Sequence, residues 1–170
     1  MEYNTRARRL CASEIGILAE EAGFIATSAC DSYSPFPNPG CNEITRNTFE
    51  GLGYGIHGTN GFANRTFTVR ESDFEACHVG IFSEKISFSK ILHNTFTMGN
   101  LEDLTCPNAL NELAHQLGVQ YTGKPVMGIA FQENEFIDLS EEPVTTIGTS
   151  VFGINSAPND FRRNTFEGLD

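Results

Sequence analysis

The heptapeptide Arg46-Asn-Thr-Phe-Glu-Gly-Leu52 occurs a second time, unchanged, at Arg163–Leu169. Its centre, Asn-x-Phe, occurs six times, several times more often than the composition predicts by chance. Four copies also have an apolar residue three positions before the Asn, and a fifth copy has Ser in the Asn position. These five positions are Asn47, Ser72, Asn94, Asn134 and Asn164. An internal repeat therefore organises this chain.

The spacing and local pattern of the repeat predict its structure. Successive copies lie 25, 22, 40 and 30 residues apart, and stretches such as Phe67–Arg70 and Ile129–Gln132 alternate apolar and polar residues. A period of two indicates strands. Leucine-rich repeats need a Leu-x-x-Leu-x-Leu pattern that is missing here, and helical repeats are longer. We therefore predict an all-β fold built from stacked parallel strands.

This pattern resembles the right-handed parallel β-helix repeat family, which has the pectate-lyase-like fold and includes repeat-bearing secreted bacterial surface proteins. The resemblance covers Cys41–Asp170 and reaches back to Gly16 only through one Gly-Ile pair. It implies a solenoid of about five to six coils, each stacked on the next. The alternative is an ordinary β-sandwich in which Asn-x-Phe recurs by chance.

In a stacked solenoid, equivalent positions form columns. We expect an apolar column and an aromatic column inside, and an Asn ladder at the turn with Asn in the left-handed conformation. Ser72 is expected to break that ladder. A Gly-Ile pair recurs at 16, 55, 80, 128 and 153. The apolar column is Ile44, Val69, Ile91, Phe131 and Phe161, and the aromatic column is Phe49, Phe74, Phe96, Phe136 and Phe166.

The chain divides into two regions. Residues 1–40 are predicted to form a degenerate first coil or an N-terminal cap, in which Ala12–Ala26 has near-helical apolar spacing, followed by a Pro-rich loop at Asp31–Gly40. Residues 41–170 are predicted to be the β-helix, as a fragment of a longer solenoid. An insertion at Asn100–Lys124 lengthens one copy, and Pro107–Gly118 within it has the pattern of a short helix.

The five cysteines match no zinc-binding spacing. Cys30 and Cys41 bracket the Pro-rich loop, and a disulfide between them is one prediction; free, buried thiols are the alternative. We expect Cys77 to be a buried thiol. The odd number leaves at least one of these five, including Cys11 and Cys106, without an intramolecular partner.

The net charge of −11 argues against nucleic acid as a partner, because phosphates require Lys and Arg. No apolar run approaches the roughly 18 residues of a membrane span. No membrane insertion is therefore expected. The resemblance to the β-helix repeat family implies a polysaccharide or a cell-surface glycan as partner, and an extracellular or cell-surface location.

Two groups of polar residues are candidate sites. The first is an acidic cluster, which either recruits a cation such as Ca²⁺ or is a solvated face. The second is the column just before the Asn ladder, which is either a set of surface ion pairs or a polar groove for sugars. The cluster is Glu50, Glu71, Asp73 and Glu75, and the column is Arg46, His93, Glu133 and Arg163, with Glu71 between Arg46 and His93. No cofactor is predicted otherwise.

Several single residues remain. His57 and His115 are expected to be isolated surface or loop residues, and Asn64-Arg-Thr66 is a lone glycosylation sequence. The catalytic patterns of the polygalacturonases (Asn-Thr-Asp, Asp-Asp and Gly-His-Gly) are missing, and the chain has no Trp for a lyase-like segment. No catalytic residue is therefore assigned.

The expected function is non-catalytic adhesion or carbohydrate binding. The alternative is a polysaccharide lyase or glycoside hydrolase whose catalytic residues lie partly outside this chain. A purely structural spacer is the third interpretation.

Overall fold

The computed structural model describes residues 15–33, 41–59, 66–86, 89–99, 115–123, 128–140, 145–153 and 159–169. These residues form 17 β-strands, and none of them lies in a helix. The described part of the chain also offers no helix long and apolar enough to cross a bilayer. The prediction of an all-β fold with parallel strands is confirmed.

Fifteen of the strands belong to three five-stranded parallel sheets. The first sheet contains β1 (Ile15–Glu20), β6 (Tyr54–Thr59), β9 (Val79–Glu84), β12 (His115–Thr122) and β15 (Thr145–Phe152). The second contains β2 (Phe24–Thr27), β7 (Phe67–Arg70), β10 (Lys90–Leu92), β13 (Ala130–Gln132) and β16 (Asp160–Arg162). The third contains β5 (Asn47–Glu50), β8 (Ser72–Glu75), β11 (Thr95–Met98), β14 (Glu135–Asp138) and β17 (Thr165–Glu167). The remaining two strands, β3 (Ala29–Tyr33) and β4 (Cys41–Thr45), pair antiparallel.

From β5 onward the chain visits the third, first and second sheets in rotation. From β8 onward each strand therefore pairs in parallel with the strand three places earlier in the chain, and equivalent residues of successive repeats lie beside one another. The main apolar core draws buried residues from strands of all three sheets.

The aromatic column forms as predicted. The rings of Phe49, Phe74, Phe96, Phe136 and Phe166 follow one another at centroid distances of 4.7–4.9 Å, with interplanar angles of 5–9°. That distance is the ordinary spacing of neighbouring strands. Phe74, Phe96 and Phe136 are at most 2% exposed, so the column fills the interior.

Glycines of the first sheet make room for these rings. A Cβ on Gly80 would lie 2.7 Å from the Phe96 ring and 2.6 Å from the carbonyl oxygen of Gly118, so no other residue fits without movement. Gly55 and Gly118 face Phe74 and Phe136 in the same way. The glycine column is Gly16, Gly55, Gly80, Gly118 and Gly148.

Two of the five Gly-Ile pairs therefore do not belong to this column. Gly128 precedes β13 of the second sheet, and Gly153 follows β15 with a φ of 74°. Gly118 and Gly148 occupy the equivalent positions, followed by Val and Thr instead of Ile. The packing of the Phe ring requires only the glycine. The residue that follows the glycine can therefore be any β-branched residue: Ile, Val or Thr.

The apolar column of the second sheet forms from Val69 through Ile91 and Phe131 to Phe161. The prediction for Ile44 is wrong: Ala26 pairs with Val69, and Ile44 is 47% exposed. Ile44 leaves the stack because its strand, β4, pairs antiparallel with β3.

The Asn ladder forms, but the left-handed residues are those just before it. Glu71, His93, Glu133 and Arg163 have φ between 51° and 55°. The side-chain amide of Asn94 donates to Asn134 Oδ1 at 3.0 Å and to the Val69 carbonyl at 3.1 Å. Because these amides satisfy the backbone groups of a tight turn, Asn94 and Asn134 lie buried at 1% exposure without an unpaired donor.

Ser72 breaks the side-chain ladder at one rung, as predicted. Its hydroxyl accepts a hydrogen bond from Asn47 Nδ2 at 3.3 Å but donates to the Arg70 carbonyl at 3.2 Å, where Asn94 and Asn134 donate to the next Asn. The backbone N–H of Ser72 still donates to Asn94 Oδ1 at 3.0 Å, so this one hydrogen bond links the two repeats.

Residues 115–118 of the predicted 107–118 helix begin β12, where Leu117 is 5% exposed, so the helix prediction is wrong there; residues 107–114 lie outside the described residues. In the first region the helical alternative is wrong, because Ile15–Glu20 and Phe24–Thr27 form β1 and β2. Its near-helical spacing was misleading because it counted outward residues: Leu18 and Ile25 are 52% and 75% exposed.

The cysteine predictions hold within the described residues. Cys30 and Cys41 form a disulfide with a Cα–Cα distance of 5.7 Å, joining β3 to β4. Cys77 is a free, buried thiol that donates to the Phe49 carbonyl at 3.3 Å. Burial raises the pKa of Cys77 to about 12, so the thiol stays protonated. Cys11 and Cys106 lie outside the described residues.

Candidate functional site

The polar column before the Asn ladder lies at the turn between the second and third sheets. There, Glu133 pairs with its neighbours on both sides: its Oε2 is 3.1 Å from His93 Nδ1, and its Oε1 is 2.6 Å from the Arg163 guanidinium. These side chains are between 33% and 75% exposed, so each pair stabilises the fold only slightly. Within the column, side chains therefore contact one another along the stack from His93 through Glu133 to Arg163.

Arg46 is held by groups from two neighbouring repeats. Its Nε donates to Asp73 Oδ1 at 2.7 Å, and its terminal nitrogen donates to the His93 carbonyl at 3.1 Å and Thr95 Oγ1 at 3.2 Å. A guanidinium with these contacts fastens β5 to the next two strands of its sheet. Its Nε and one of its two terminal nitrogens are therefore occupied by contacts within the protein.

The four acidic residues of the predicted cluster do not converge. Glu50 and Glu75 are register partners on β5 and β8, but Asp73 is paired with Arg46. The Glu71 carboxylate pairs with the guanidinium of the preceding residue, Arg70, at 2.9 Å. A hydrogen bond from Ser28 is the main cause that lowers the pKa of Glu71. Among the described residues, no group of three or more His, Cys, Asp or Glu side chains is arranged to hold a metal ion.

A different group of side chains meets on the outer face of the first sheet. Tyr54 and His57 of β6 lie with ring centroids 5.2 Å apart, and Phe82 of β9 contacts the His57 ring edge to face at 4.8 Å. The Tyr54 and Phe82 rings are 5.9 Å apart. All three side chains are partly exposed. We call these three residues the aromatic cluster.

Carboxylates flank the aromatic cluster. Glu20, Thr59 and Glu84 form the next outward column of the same sheet. Burial lowers the pKa of His57, against the opposing effect of the nearby Glu84 and Glu20 carboxylates. His57 is therefore neutral at pH 7. Glu84 pairs with Lys85 at 2.9 Å, whereas no described cation pairs with Glu20.

His57 is at the surface, as expected, but it is not isolated, because it lies in a strand between two aromatic rings. The side chain of His115 and the residue Asn64 lie outside what the structure describes. A pattern in the sequence does locate the cluster. In Gly16-Ile17-Leu18, Gly55-Ile56-His57 and Gly80-Ile81-Phe82, the residue after Ile points outward on the first sheet.

A buried histidine lies in the turn between β8 and β9. His78 is 5% exposed, and neither ring nitrogen has a hydrogen-bond partner. Burial lowers the pKa of His78, so the ring is neutral at pH 7. The measurable consequence of this buried ring is a dependence of stability on pH.

The aromatic cluster can accept a flat ligand. Its rings present apolar area to solvent, and the Glu20 and Glu84 carboxylates beside them accept hydrogen bonds from hydroxyl or amino groups. In comparisons with known proteins, no family model, no curated protein and no solved structure matches the chain.

Proposed function

We propose that this chain is a right-handed parallel β-helix that acts, without catalysis, as an extracellular or cell-surface module that binds carbohydrate in adhesion. Three parallel sheets visited in rotation support the β-helix, as do the stacked Phe rings. The right-handed sense rests on the strong preference of parallel crossover connections for that hand. The resemblance of the repeat to secreted surface proteins agrees with this proposal.

The aromatic cluster is the observation that carries carbohydrate binding. Sugar rings have apolar faces and a rim of hydroxyl groups, and they match partly exposed aromatic rings beside hydrogen-bond acceptors. Tyr54, His57 and Phe82 provide the rings, and Thr59 and Glu84 lie in the next column along the sheet. A glycan chain lying across β6 and β9 would contact both groups at once.

The disulfide supports the proposed location. Structural disulfides persist in oxidising compartments, which include the cell surface and the extracellular space. The Cys30–Cys41 bond joins the two strands of the β3–β4 hairpin.

The net charge of −11 makes nucleic acid an unfavourable partner.

An enzyme is the second candidate, favoured by one observation. Glu50 and Glu75 are register partners on the third sheet. Two carboxylates about 5 Å apart are the arrangement that retaining glycosidases use. We rank this candidate second because the neighbouring Asp73 is already paired with Arg46.

A glycan array probed with the full chain tests the proposal, together with reducing-sugar and unsaturated-product assays on the glycans that bind. The array should show binding without product release. The Phe82→Ala variant should lose at least about tenfold in affinity, or about 1.4 kcal/mol. The matched control is Ile25→Ala, which removes a side chain that is 75% exposed on the second sheet and should bind normally.

Two outcomes contradict the proposal. Equal binding by Phe82→Ala and the wild-type chain would remove the aromatic cluster from the function. Release of product that disappears in Glu75→Gln would establish the enzyme instead.

A further inference from the structure

The charge around the aromatic cluster selects among glycans. Glu20 and Glu84 flank the cluster and both act electrostatically on His57. Glu84 is partly neutralised by Lys85, but Glu20 has no cationic partner among the described residues. Glu21 follows directly and is also exposed. The local balance is therefore negative, in a protein whose net charge is already −11.

His57 does not offset this negative charge. Burial lowers its pKa, so at pH 7 the ring is neutral and adds only aromatic area. Uronic-acid and sulfated polymers carry a negative charge on many of their sugars. Such a polymer would bring like charges beside Glu20 and Glu84, which is unfavourable.

We infer, on the basis of the proposed function, that the aromatic cluster binds a glycan of amino sugars with free ammonium groups. One sugar of such a glycan packs its ring against Phe82 on β9, and the ammonium of a neighbouring sugar pairs with the Glu20 carboxylate on β1, on the other side of β6. A cation close to an aromatic face gains further stabilisation, of about 0.5–1 kcal/mol at an exposed site. The same ligand therefore matches both the rings and the Glu20 carboxylate.

Three oligosaccharides of equal length test this inference: a neutral N-acetylglucosamine hexamer, its fully deacetylated counterpart, and a galacturonic acid hexamer. Binding is measured by calorimetry at about pH 6, where the amines are largely protonated. The deacetylated hexamer should bind about tenfold more tightly than the acetylated one, and the galacturonic acid hexamer should not bind. The preference should shrink below about threefold in about 0.5 M sodium chloride, because salt screens exposed charges.

Variants separate a specific contact from the general charge of the protein. Glu20→Gln should lose most of the preference for the deacetylated hexamer, because its affinity for the deacetylated hexamer should fall much more than its affinity for the acetylated one. Glu167→Gln is the matched control: it removes one exposed carboxylate from the third sheet, far along the chain, and should keep the preference.

The results distinguish this inference from the proposed function. Equal binding of the neutral and deacetylated hexamers, abolished by Phe82→Ala, would overturn the inference and leave carbohydrate binding intact. Equal loss of preference in Glu20→Gln and Glu167→Gln would also overturn it. Failure of all three hexamers, together with an empty glycan array, would overturn the proposed function itself.

Discussion

The inner and outer faces of the sheets differ in how strictly they repeat. Inside, Phe follows Phe through five repeats, each ring parallel to the next and each facing a glycine. On the outer face of the first sheet, the five equivalent positions are all different: Leu18, His57, Phe82, Gln120 and Ser150. Both faces share one backbone register, so backbone geometry does not explain the contrast.

Close packing of the interior explains why the inner residues repeat and the outward residues vary. An inner residue must match the repeat above and the repeat below in volume, because interiors are close-packed. An outward residue meets solvent and is free to vary. The comparison teaches that the repeated residues build the scaffold and that chemistry specific to this chain should be sought among outward residues that break the repeat.

The largest effect should come from removing an inner ring. Phe96→Ala deletes a 1% exposed ring stacked on both sides and should lower the free energy of unfolding by about 3–5 kcal/mol. Phe166→Ala is the control: the ring is 52% exposed with one stacked neighbour, and the loss should be about 1 kcal/mol. Urea denaturation measures both. Equal losses would mean that the column does not act as an interior.

The second effect should come from the Asn ladder. Asn134→Ala removes the acceptor for the Asn94 backbone N–H and the donor to the Ile91 carbonyl, both in the interior. Leaving buried polar groups unpaired should cost about 2–4 kcal/mol in the same assay. Asn47→Ala, at the half-buried end of the ladder, should cost about 1 kcal/mol. A larger loss for Asn47→Ala than for Asn134→Ala would contradict the burial argument.

A smaller effect should appear as a pH dependence. The pKa of His78 is lowered in the folded protein, so the unfolded chain takes up a proton first as the pH falls below the ordinary value of 6.5. Stability should therefore fall between about pH 7.5 and about pH 5.5. His57 acts in the same direction. The lowered carboxyl pKa values of Glu71 and Asp138 matter only at lower pH.

Urea denaturation at these two pH values checks this prediction. His78→Gln should show a shallower loss of stability on acidification than the wild-type chain, and the part that remains should shrink further in the double variant with His57→Gln. A wild-type chain that is equally stable at both pH values would show that neither histidine is desolvated in solution.

The smallest effect on stability should come from the outer face. Phe82→Ala should change the free energy of unfolding by less than about 1 kcal/mol, because the ring is partly exposed on the outer face of the first sheet, where it packs against His57 and Tyr54. The same urea series measures it. A loss as large as that of Phe96→Ala would make Phe82 part of the scaffold and would weaken its assignment to ligand binding.

Sequence reasoning succeeded where one residue type recurs at one position. The Phe column and the Asn ladder were predictable because stacking places like on like, and the Cys30–Cys41 disulfide because the two residues bracket a short loop. It failed at Ile44, because antiparallel pairing with β3 takes this one position out of the stack while Asn47 and Phe49 of the same copy stay in it. It failed at Leu117, which lies in β12 although its spacing from the preceding apolar residues is helical.

The candidate site was less predictable, because its residues do not recur at one position of the repeat. Glu71 and Asp73 are close in sequence but turn to different partners, Arg70 and Arg46. The aromatic cluster joins residues 54, 57 and 82, which meet only through the register of β6 and β9. A repeat search detects what recurs, and the cluster consists of residues that do not recur.

A crystal structure of this chain would test the central claim most directly, through the centroid distances between successive rings of Phe49, Phe74, Phe96, Phe136 and Phe166. The predicted result is one continuous column with neighbouring rings 4.7–4.9 Å apart and nearly parallel. Rings separated into different parts of the interior, with no common register, would contradict the stacked columns and with them the distinction between inner and outer faces.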